Sequence, residues 1–315
     1  MTGRPRLRQW RTFVPTALAG LLFAATIIGP IYAVTVGPRR LVVRRWRVAP
    51  AGWPAGRRLT VALVSDPHVG GPHMRLGRLR RIVDRANALR PDLILIPGDV
   101  MASDLAAIPP VPLADAAAAL GELDAPSGVW AVLGNHDWWD DPAAQARGGG
   151  PVAAGEALRA AGIPVLENEA RRIDTGAGPV WIAGLTDQEA LKGEGSALTG
   201  LDDLDGTLAQ VTDDAPILLM AHEPDIFPRV PARVALTVSG HTHGGQMRFG
   251  PWMPYVPSRY GSRYAYGHIR EDGRDLVVSG GLGCSGLPIR FGRPPEITVI
   301  ELTAPGERNP SHGFI

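Results

Sequence analysis

The chain has one cysteine, Cys284, in 315 residues, which excludes an internal disulfide and leaves the redox compartment open. Lysine is just as scarce. Lys192 is the only one, so basic charge is carried by arginine, and a single arginine is weak evidence for phosphate recognition. Acid is missing from residues 1–58, which hold eleven arginines; the remainder holds 21 basic against 31 acidic residues, a net charge of about −10. A body of that charge lacks the basic face that nucleic acid requires, so no nucleic-acid partner is expected. No internal repeat is visible either. What is present, 45% apolar and 20% charged residues, suits a globular body with ample core and one very hydrophobic segment.

That segment runs from Thr12 to Pro38 without a charge. About 20 apolar residues suffice to cross a bilayer core, and the stretch is longer than the apolar region of a cleaved signal. The expectation is a single-pass transmembrane helix at about 13–36, held in the inner membrane. Arg4, Arg6, Arg8 and Arg11 precede it, and Arg39, Arg40, Arg44, Arg45 and Arg47 follow. Their slight excess after the span favours a cytoplasmic catalytic domain. Residues 39–58 are either a surface-lying segment, with Trp46 and Trp53 among the arginines, or a linker or first strand. The expected organisation is a leader at 1–58, a catalytic domain at 59–305 and a tail at 306–315.

The body alternates strands and helices. Leu59–Ser65 is a β-branched apolar run; Leu76, Leu79, Ile82, Val83, Ala86 and Leu89 recur at helical spacing, and Pro91 ends that helix. Leu93–Ile96, an Ala-rich helix near 113–124 and the strand Val129–Leu133 follow. Further strands are expected at Pro179–Ala183, Pro216–Met220, Val234–Val238, 264–270, 275–279 and 296–302. Continuous apolar strands separated by helices predict an α/β body whose parallel sheet is covered on both faces. Ligands in such folds gather beyond the carboxyl ends of the strands.

Five segments stand at those ends: Asp66-Pro67-His68, Gly98-Asp99, Gly134-Asn135-His136-Asp137, Ala221-His222 and Gly240-His241-Thr242-His243. They hold five of the chain's eight histidines. Asp66 and His68 are two apart, as are His241 and His243, so extended backbone would point each pair the same way. Setting His136 aside leaves two carboxylates, one carboxamide and four imidazoles. Seven oxygen and nitrogen donors are too many for one tetrahedral ion but serve two if a carboxylate bridges. Such donors suit Mn, Fe, Zn or Co rather than Ca or an iron–sulfur cluster. Paired ions are a standard device for displacement at phosphorus.

In order and spacing these segments resemble the calcineurin-like metallophosphoesterases across roughly residues 59–302. The resemblance implies a four-layer αββα sandwich of two mixed sheets flanked by helices, an α/β (α+β mixed) fold. It implies two divalent ions, most readily Mn, one held by Asp66, His68 and His243, the other by Asn135, His222 and His241, with Asp99 bridging. His136 is implied as the non-ligand catalytic histidine that protonates the leaving oxygen or steadies the transition state, and a metal-held hydroxide as the nucleophile. Asp137 either orients His136 or caps the next helix. The segments Gly244–Arg248, Pro257–Gly261, Arg263–Gly267 and Gly283–Gly292 are similar to the membrane-anchored bacterial branch. That branch implies a phosphate-ester substrate linked to lipid, such as UDP-2,3-diacylglucosamine in lipid A synthesis, or phosphodiesters more broadly. A non-catalytic metal-binding scaffold is the remaining alternative.

Other signals are weaker. Gly281-Leu282-Gly283-Cys284-Ser285-Gly286 has dinucleotide-loop spacing, but Pro288 follows at once, so no helix opens there. Cys284 has no evident base and reads as a small buried residue. His73 lies in a Gly-Gly-Pro loop and reads as a loop or substrate-contact residue. Arg248, Arg259, Arg263 and Arg290 are candidates for holding substrate phosphate.

Overall fold

A computed structural model of the chain describes residue 20 and residues 23–102 and 110–307. Two mixed sheets face each other. The first has five strands in the order β1 (Val42–Val48), β13 (Glu296–Leu302), β2 (Leu59–Leu63), β3 (Leu93–Ile96) and β4 (Val129–Ala131). The second has six, in the order β11 (Gly267–Glu271), β12 (Arg274–Val278), β10 (Val234–Ser239), β9 (Ile217–Met220), β6 (Gly178–Gly184) and β5 (Glu169–Thr175). A two-stranded ribbon, β7 (Leu191–Lys192) with β8 (Leu198–Thr199), stands apart.

The parallel expectation holds for the strands that carry the motifs. β2, β3 and β4 run parallel, as do β6, β9, β10 and β12. The sheets are mixed because β13, β5 and β11 join antiparallel.

Strand β3 shows how four consecutive apolar residues are used. Successive side chains leave a strand on opposite faces. Leu93 and Leu95 enter the layer between the sheets, with Leu63, Ile182, Leu218, Met220 and Val238. Ile94 and Ile96 face outward, against Leu79, Ile82 and Val83 of the helix Leu76–Ala88 and Ala116 and Leu120 of the helix Leu113–Leu120. Fully burying each such side chain contributes roughly 1.5–3 kcal/mol. The outer face of the second sheet is covered thinly, by the helix Leu204–Leu208 and the 3-10 segment Pro224–Arg229, through Leu204, Ile226 and Phe227.

The single-pass span and the inner-membrane location built on it are corrected. Among the described residues no helix is long and apolar enough to cross a membrane. Ala24–Ile28 form a π-helical segment and Gly29–Thr35 a seven-residue α-helix, followed by the 3-10 turn Gly37–Arg39. A count of uncharged residues does not register Pro30 and Pro38, which remove backbone donors. Residues 13–19, 21 and 22 of the expected span, the arginines before it, and residues 308–315 of the expected tail lie outside the described residues. The helix Gly29–Thr35 docks on the body: the Arg290 N–H donates to the Ala33 carbonyl at 2.9 Å and Tyr32 meets Phe291 edge-on.

Residues 42–48, ahead of the position where the sequence places the start of the catalytic domain, form a strand. It pairs in parallel with β13 along its whole length, and Arg45 and Arg47 reach Glu301.

Candidate metal centre

Strands β2, β3, β4, β9 and β10 end at Leu63, Ile96, Ala131, Met220 and Ser239. The donors follow within a few residues of each end. They do not converge by strand alternation, however. Asp66, His68, Asp99, His241 and His243 have φ of 49°, 44°, 56°, 65° and 52°, so the pairs two apart lie on left-handed turns rather than on extended backbone. This conformation costs a non-glycine residue of order 1 kcal/mol or more and persists only where the surroundings over-determine it. Here neighbouring loops do so: the Asp66 N–H donates to the Gly98 carbonyl and the His68 N–H to the Asp99 carbonyl.

The result is two groups of side chains sharing one carboxylate. In the first, His68 Nε2 lies 3.0 Å from His243 Nε2, and His243 Nε2 lies 3.8 Å from Asp66 Oδ1. In the second, Asn135 Oδ1 lies 3.1 Å from both His222 Nε2 and His241 Nδ1. Asp99 Oδ2 stands between them, 3.5 Å from His68 Nε2 and 3.2 Å from His222 Nε2. All seven side chains are buried. The structure therefore brings together every residue the sequence nominates as a ligand.

Second contacts aim these groups. His222 Nδ1 donates to the Pro97 carbonyl at 2.6 Å, which turns Nε2 inward. His68 Nδ1 faces the Met101 carbonyl at 3.3 Å. Asp66 accepts from the Ser65 hydroxyl and, at 2.8 Å, from the His241 N–H. Asp99 Oδ1 accepts from the His136 N–H at 2.9 Å. Gly98, at φ 104°, permits a close approach: a Cβ there would sit 2.6 Å from His222 Nδ1 and from the Gly134 nitrogen.

Burial sets the charge states. It lowers His68 to about 3, holds His243 well below the ordinary histidine range with His68 and Arg290 adding to it, and lowers His241. Neutral imidazole is the ligating form. Burial pushes Asp66 up to about 6, with Asp99 adding to the rise. His222 and Asp99 go the other way. Burial opposes the charge on both, but each stabilises the other, so His222 rises well above and Asp99 falls well below its usual range.

The sequence leaves two roles for Asp137, and the structure occupies its carboxylate with backbone. It accepts from the Asp99, Val100 and Gly134 N–H groups at 2.9, 2.9 and 3.0 Å, tying the third motif to the second. The side chain that meets His136 Nε2 is Ser285, whose Oγ lies 3.2 Å away. Sequence reasoning missed two buried carboxyls beside the second group, Glu223 and Asp187. Glu223 groups with His222 and His241 as a potential ligand set; burial and the Glu223 charge hold Asp187 well above the carboxylate range. Glu223 directly follows His222, the one signal that pointed to it.

The centre floors a cavity of about 780 Å³ reached by Asp99, Asn135, His136, His241 and His243. Its far wall is apolar and exposed, with Leu198, Tyr255 and Leu287, and Arg259 stands at the rim beside Asp225. The other candidate arginines are engaged elsewhere. Arg290 is fully buried and donates to the Gly280 and Gly283 carbonyls and to His243 Nδ1. Arg263 pairs with Glu271, and Arg248 Nε donates to the Gly250 carbonyl. Burial pushes the Cys284 thiol up, away from nucleophilic use.

A mixed α/β body with two facing sheets, and buried oxygen and nitrogen donors collected at the strand ends, defines a metal-dependent hydrolase of phosphate esters. The family model for calcineurin-like phosphoesterases matches residues 59–245. An uncharacterized metallophosphoesterase of Bacillus subtilis, YkuE, is 31% identical over 247 residues, covering 76% of this chain and 77% of the relative. An uncharacterized metallophosphoesterase of Aquifex aeolicus is 29% identical, over 84% of this chain and 93% of the relative. A zebrafish transmembrane protein with a metallophosphoesterase domain is 30% identical over 78% of this chain, which spans about half, 53%, of that relative. Among solved structures, the Haemophilus influenzae NAD nucleotidase gives a TM-score of 0.44 at 14% identity, over 71% of this chain and 45% of that one. A dimetal phosphatase from zebrafish gives 0.39 at 14%, over 74% and 88%; likenesses this loose carry no assignment. The chain belongs to the calcineurin-like phosphoesterase family and is a metal-dependent phosphoester hydrolase. Its clusters suggest a dinuclear divalent site.

Proposed function

We propose that the chain hydrolyses a phosphodiester or pyrophosphate bond in a lipid-linked nucleotide sugar such as UDP-2,3-diacylglucosamine. The observation that carries this reading is the shape of the 780 Å³ cavity: charged donors at its floor, an exposed apolar wall at Leu198, Tyr255 and Leu287. A substrate with a phosphate at one end and an acyl chain at the other matches both surfaces.

In this reading Asp66, His68 and His243 hold one ion, Asn135, His222 and His241 the other, and Asp99 both. The fit rests on the donors themselves: buried, free of thiolate, and in the case of His68, His241 and His243 held in the neutral ligating form. Bound divalent ions supply positive charge to the phosphoryl oxygens and acidify the attacking water. The chain's own residues do the rest. Arg259, at the rim, faces the substrate's outer phosphate or sugar. His136 places Nε2 in the cavity and delivers a proton to the leaving oxygen, with Ser285 Oγ holding the ring against rotation. The donors at the floor are themselves buried, which strengthens each electrostatic contact among them. Mn is the ion we expect.

Turnover by Mn-loaded protein tests the reading. UDP-2,3-diacylglucosamine is expected to yield UMP and diacylglucosamine 1-phosphate, with kcat/KM far above that for UDP-N-acetylglucosamine. Equal turnover of the two, or efficient cleavage of soluble diesters alone, would replace it with a broad-specificity phosphodiesterase.

A further inference from the structure

We propose that Asp225 is a positioning residue for substrate selection: it holds Arg259 at the cavity rim, where the guanidinium receives a second anionic group of the substrate, beyond the phosphoryl group at the donors. The proposal rests on the reading of this cavity as the substrate site and deepens it, since it names the substrate class as one with two anionic groups. Asp225 lies three residues after His222, in the 3-10 segment Pro224–Arg229. Its buried carboxylate reaches across to the rim. Oδ1 accepts from the Ser258 hydroxyl at 2.5 Å, and Oδ2 accepts from both the backbone N–H and the Nε–H of Arg259, at 2.8 and 3.2 Å. The Ser258 hydroxyl accepts in turn from the Tyr260 N–H at 3.1 Å. The Tyr260 ring packs edge-on against Tyr264, which meets Phe227 of the same 3-10 segment. One carboxylate thus fixes three consecutive rim residues.

What remains of Arg259 is its outer edge. The side chain is exposed, its Nε is engaged, and Nη1 and Nη2 make no hydrogen bond among the described residues. That pair of donors is the end of the fork that matches two oxygens of a phosphate or carboxylate. Among the described residues that line the cavity Arg259 is the one arginine or lysine, while Asp99, Glu189 and Asp225 are its acids. Burial pushes the Glu189 carboxyl up to about 7, with Glu223 and Asp225 adding to the rise and Arg259 opposing it. An anionic group that lies away from the donor clusters therefore meets one permanent cation on an otherwise acidic wall. A free arginine loses rotamer freedom when it takes a ligand. Here Asp225 has already restricted the side chain, so less freedom is lost on binding.

Calorimetric titration of full-length Mn-loaded protein tests this, with inorganic orthophosphate as the one-group probe and pyrophosphate and tripolyphosphate as longer probes. The quantity read is the ratio of the orthophosphate Kd to the Kd of the tighter longer anion, which cancels any general damage to the metal centre. Arg259→Ala is expected to lower that ratio about ten-fold, as loss of a charge-assisted pair implies. Asp225→Asn is expected to lower it several-fold, and here the sign is decisive. The substitution removes a negative charge from the cavity wall, so a merely electrostatic role for Asp225 would tighten anion binding and raise the ratio. Arg259→Lys changes an exposed side chain, so it folds even if Asp225→Asn does not; it keeps the charge but loses Nε and the fork, and is expected to resemble Arg259→Ala. A ratio that holds or rises in Asp225→Asn, or a wild-type ratio retained by Arg259→Lys, overturns the positioning role. A ratio that holds in Arg259→Ala, or no preference for the longer anions in wild type, overturns the proposal whole. Turnover of UDP-2,3-diacylglucosamine is read separately, so its failure would leave the anion preference standing and the failure of the preference would leave turnover standing.

Discussion

Nε2 of His68 and Nε2 of His243 lie 3.0 Å apart, both rings buried, although 175 residues separate them in the chain. Neither ring carries charge readily, because burial holds both below the ordinary histidine range. The surrounding contacts assign the remaining proton. Arg290 donates to His243 Nδ1, and His68 Nδ1 donates to the Met101 carbonyl. The proton between the two Nε2 atoms thus belongs to His243.

That arrangement makes Asp99 a residue on which both groups depend, since its Oδ2 faces His68 and His222 together, at 3.5 and 3.2 Å. Asp99→Asn is expected to abolish stoichiometric binding of two Mn per chain and to lower kcat/KM more than about a hundred-fold. Asn135→Ala, which touches only the second group, is expected to keep one ion. Metal content of dialysed protein by elemental analysis checks both. Two tightly held ions in Asp99→Asn would refute the bridging role.

Metal affinity is expected to fall as pH falls. Burial raises Asp66 from 3.8 to about 6, so below pH 6 the folded, metal-free site holds a proton there that an ion must displace. The cost is about ten-fold in affinity per pH unit for one proton. His222, held well above the ordinary histidine range by Asp99 despite its burial, releases a proton as well, so affinity continues to climb above pH 7. Mn titrations at pH 5, 6, 7 and 8 check the slope. Ser65→Ala removes a hydroxyl that favours ionised Asp66 and is expected to move the lower break upward.

The strands that carry the site were legible because they are buried on both faces and written as unbroken apolar runs: Leu93–Ile96 and Ile217–Met220 have no polar residue. Edge strands were not. Val42–Val48 and Glu169–Thr175 mix charged with apolar residues, since one side of each faces solvent; the sequence leaves the first open between surface segment, linker and strand, and the second is not among the expected strands. The ligand set was legible from residue type and order, but its geometry was not. Spacing of two implied extended backbone, whereas Asp and His adopt left-handed turns that leave no mark in composition. Glu223 and Asp187 escaped notice because acids that follow apolar strands look like ordinary caps. The apolar leader misled because hydropathy counts residues and does not weigh Pro30 and Pro38.

Gly98 offers a test of how tightly the motifs are locked together. At φ 104°, with the Gly134 nitrogen and His222 Nδ1 each 2.6 Å from a built Cβ, it leaves no room for alanine. Gly98→Ala is expected to cost about 2–4 kcal/mol, combining backbone strain with a forced shift of buried groups. Gly273→Ala, at φ 76° with nothing within 4 Å, carries the strain alone and is expected to cost about 1 kcal/mol. Urea midpoints of the two variants measure the difference, and equal losses would show that the close approach at Gly98 is unimportant.

His136 lines the catalytic cavity without joining either cluster of donors, and this separates its role from theirs. His136→Ala is expected to keep both Mn ions and to lower kcat by about 10²–10⁴-fold, the range for losing one positioned proton donor. Ser285→Ala should act through the histidine. Its hydroxyl lies 3.2 Å from His136 Nε2, while its backbone N–H is held by Gln246 Oε1 at 2.9 Å whatever the side chain. A fall in kcat of about three- to ten-fold with KM and metal content unchanged is expected, from a lost contact of about 1 kcal/mol. A substrate with an acidic leaving group needs no proton, so p-nitrophenyl diesters should be cleaved by both variants nearly as fast as by wild type. Equal losses on acidic and basic leaving groups would show that His136 stabilises charge on the phosphoryl group rather than protonating the departing oxygen.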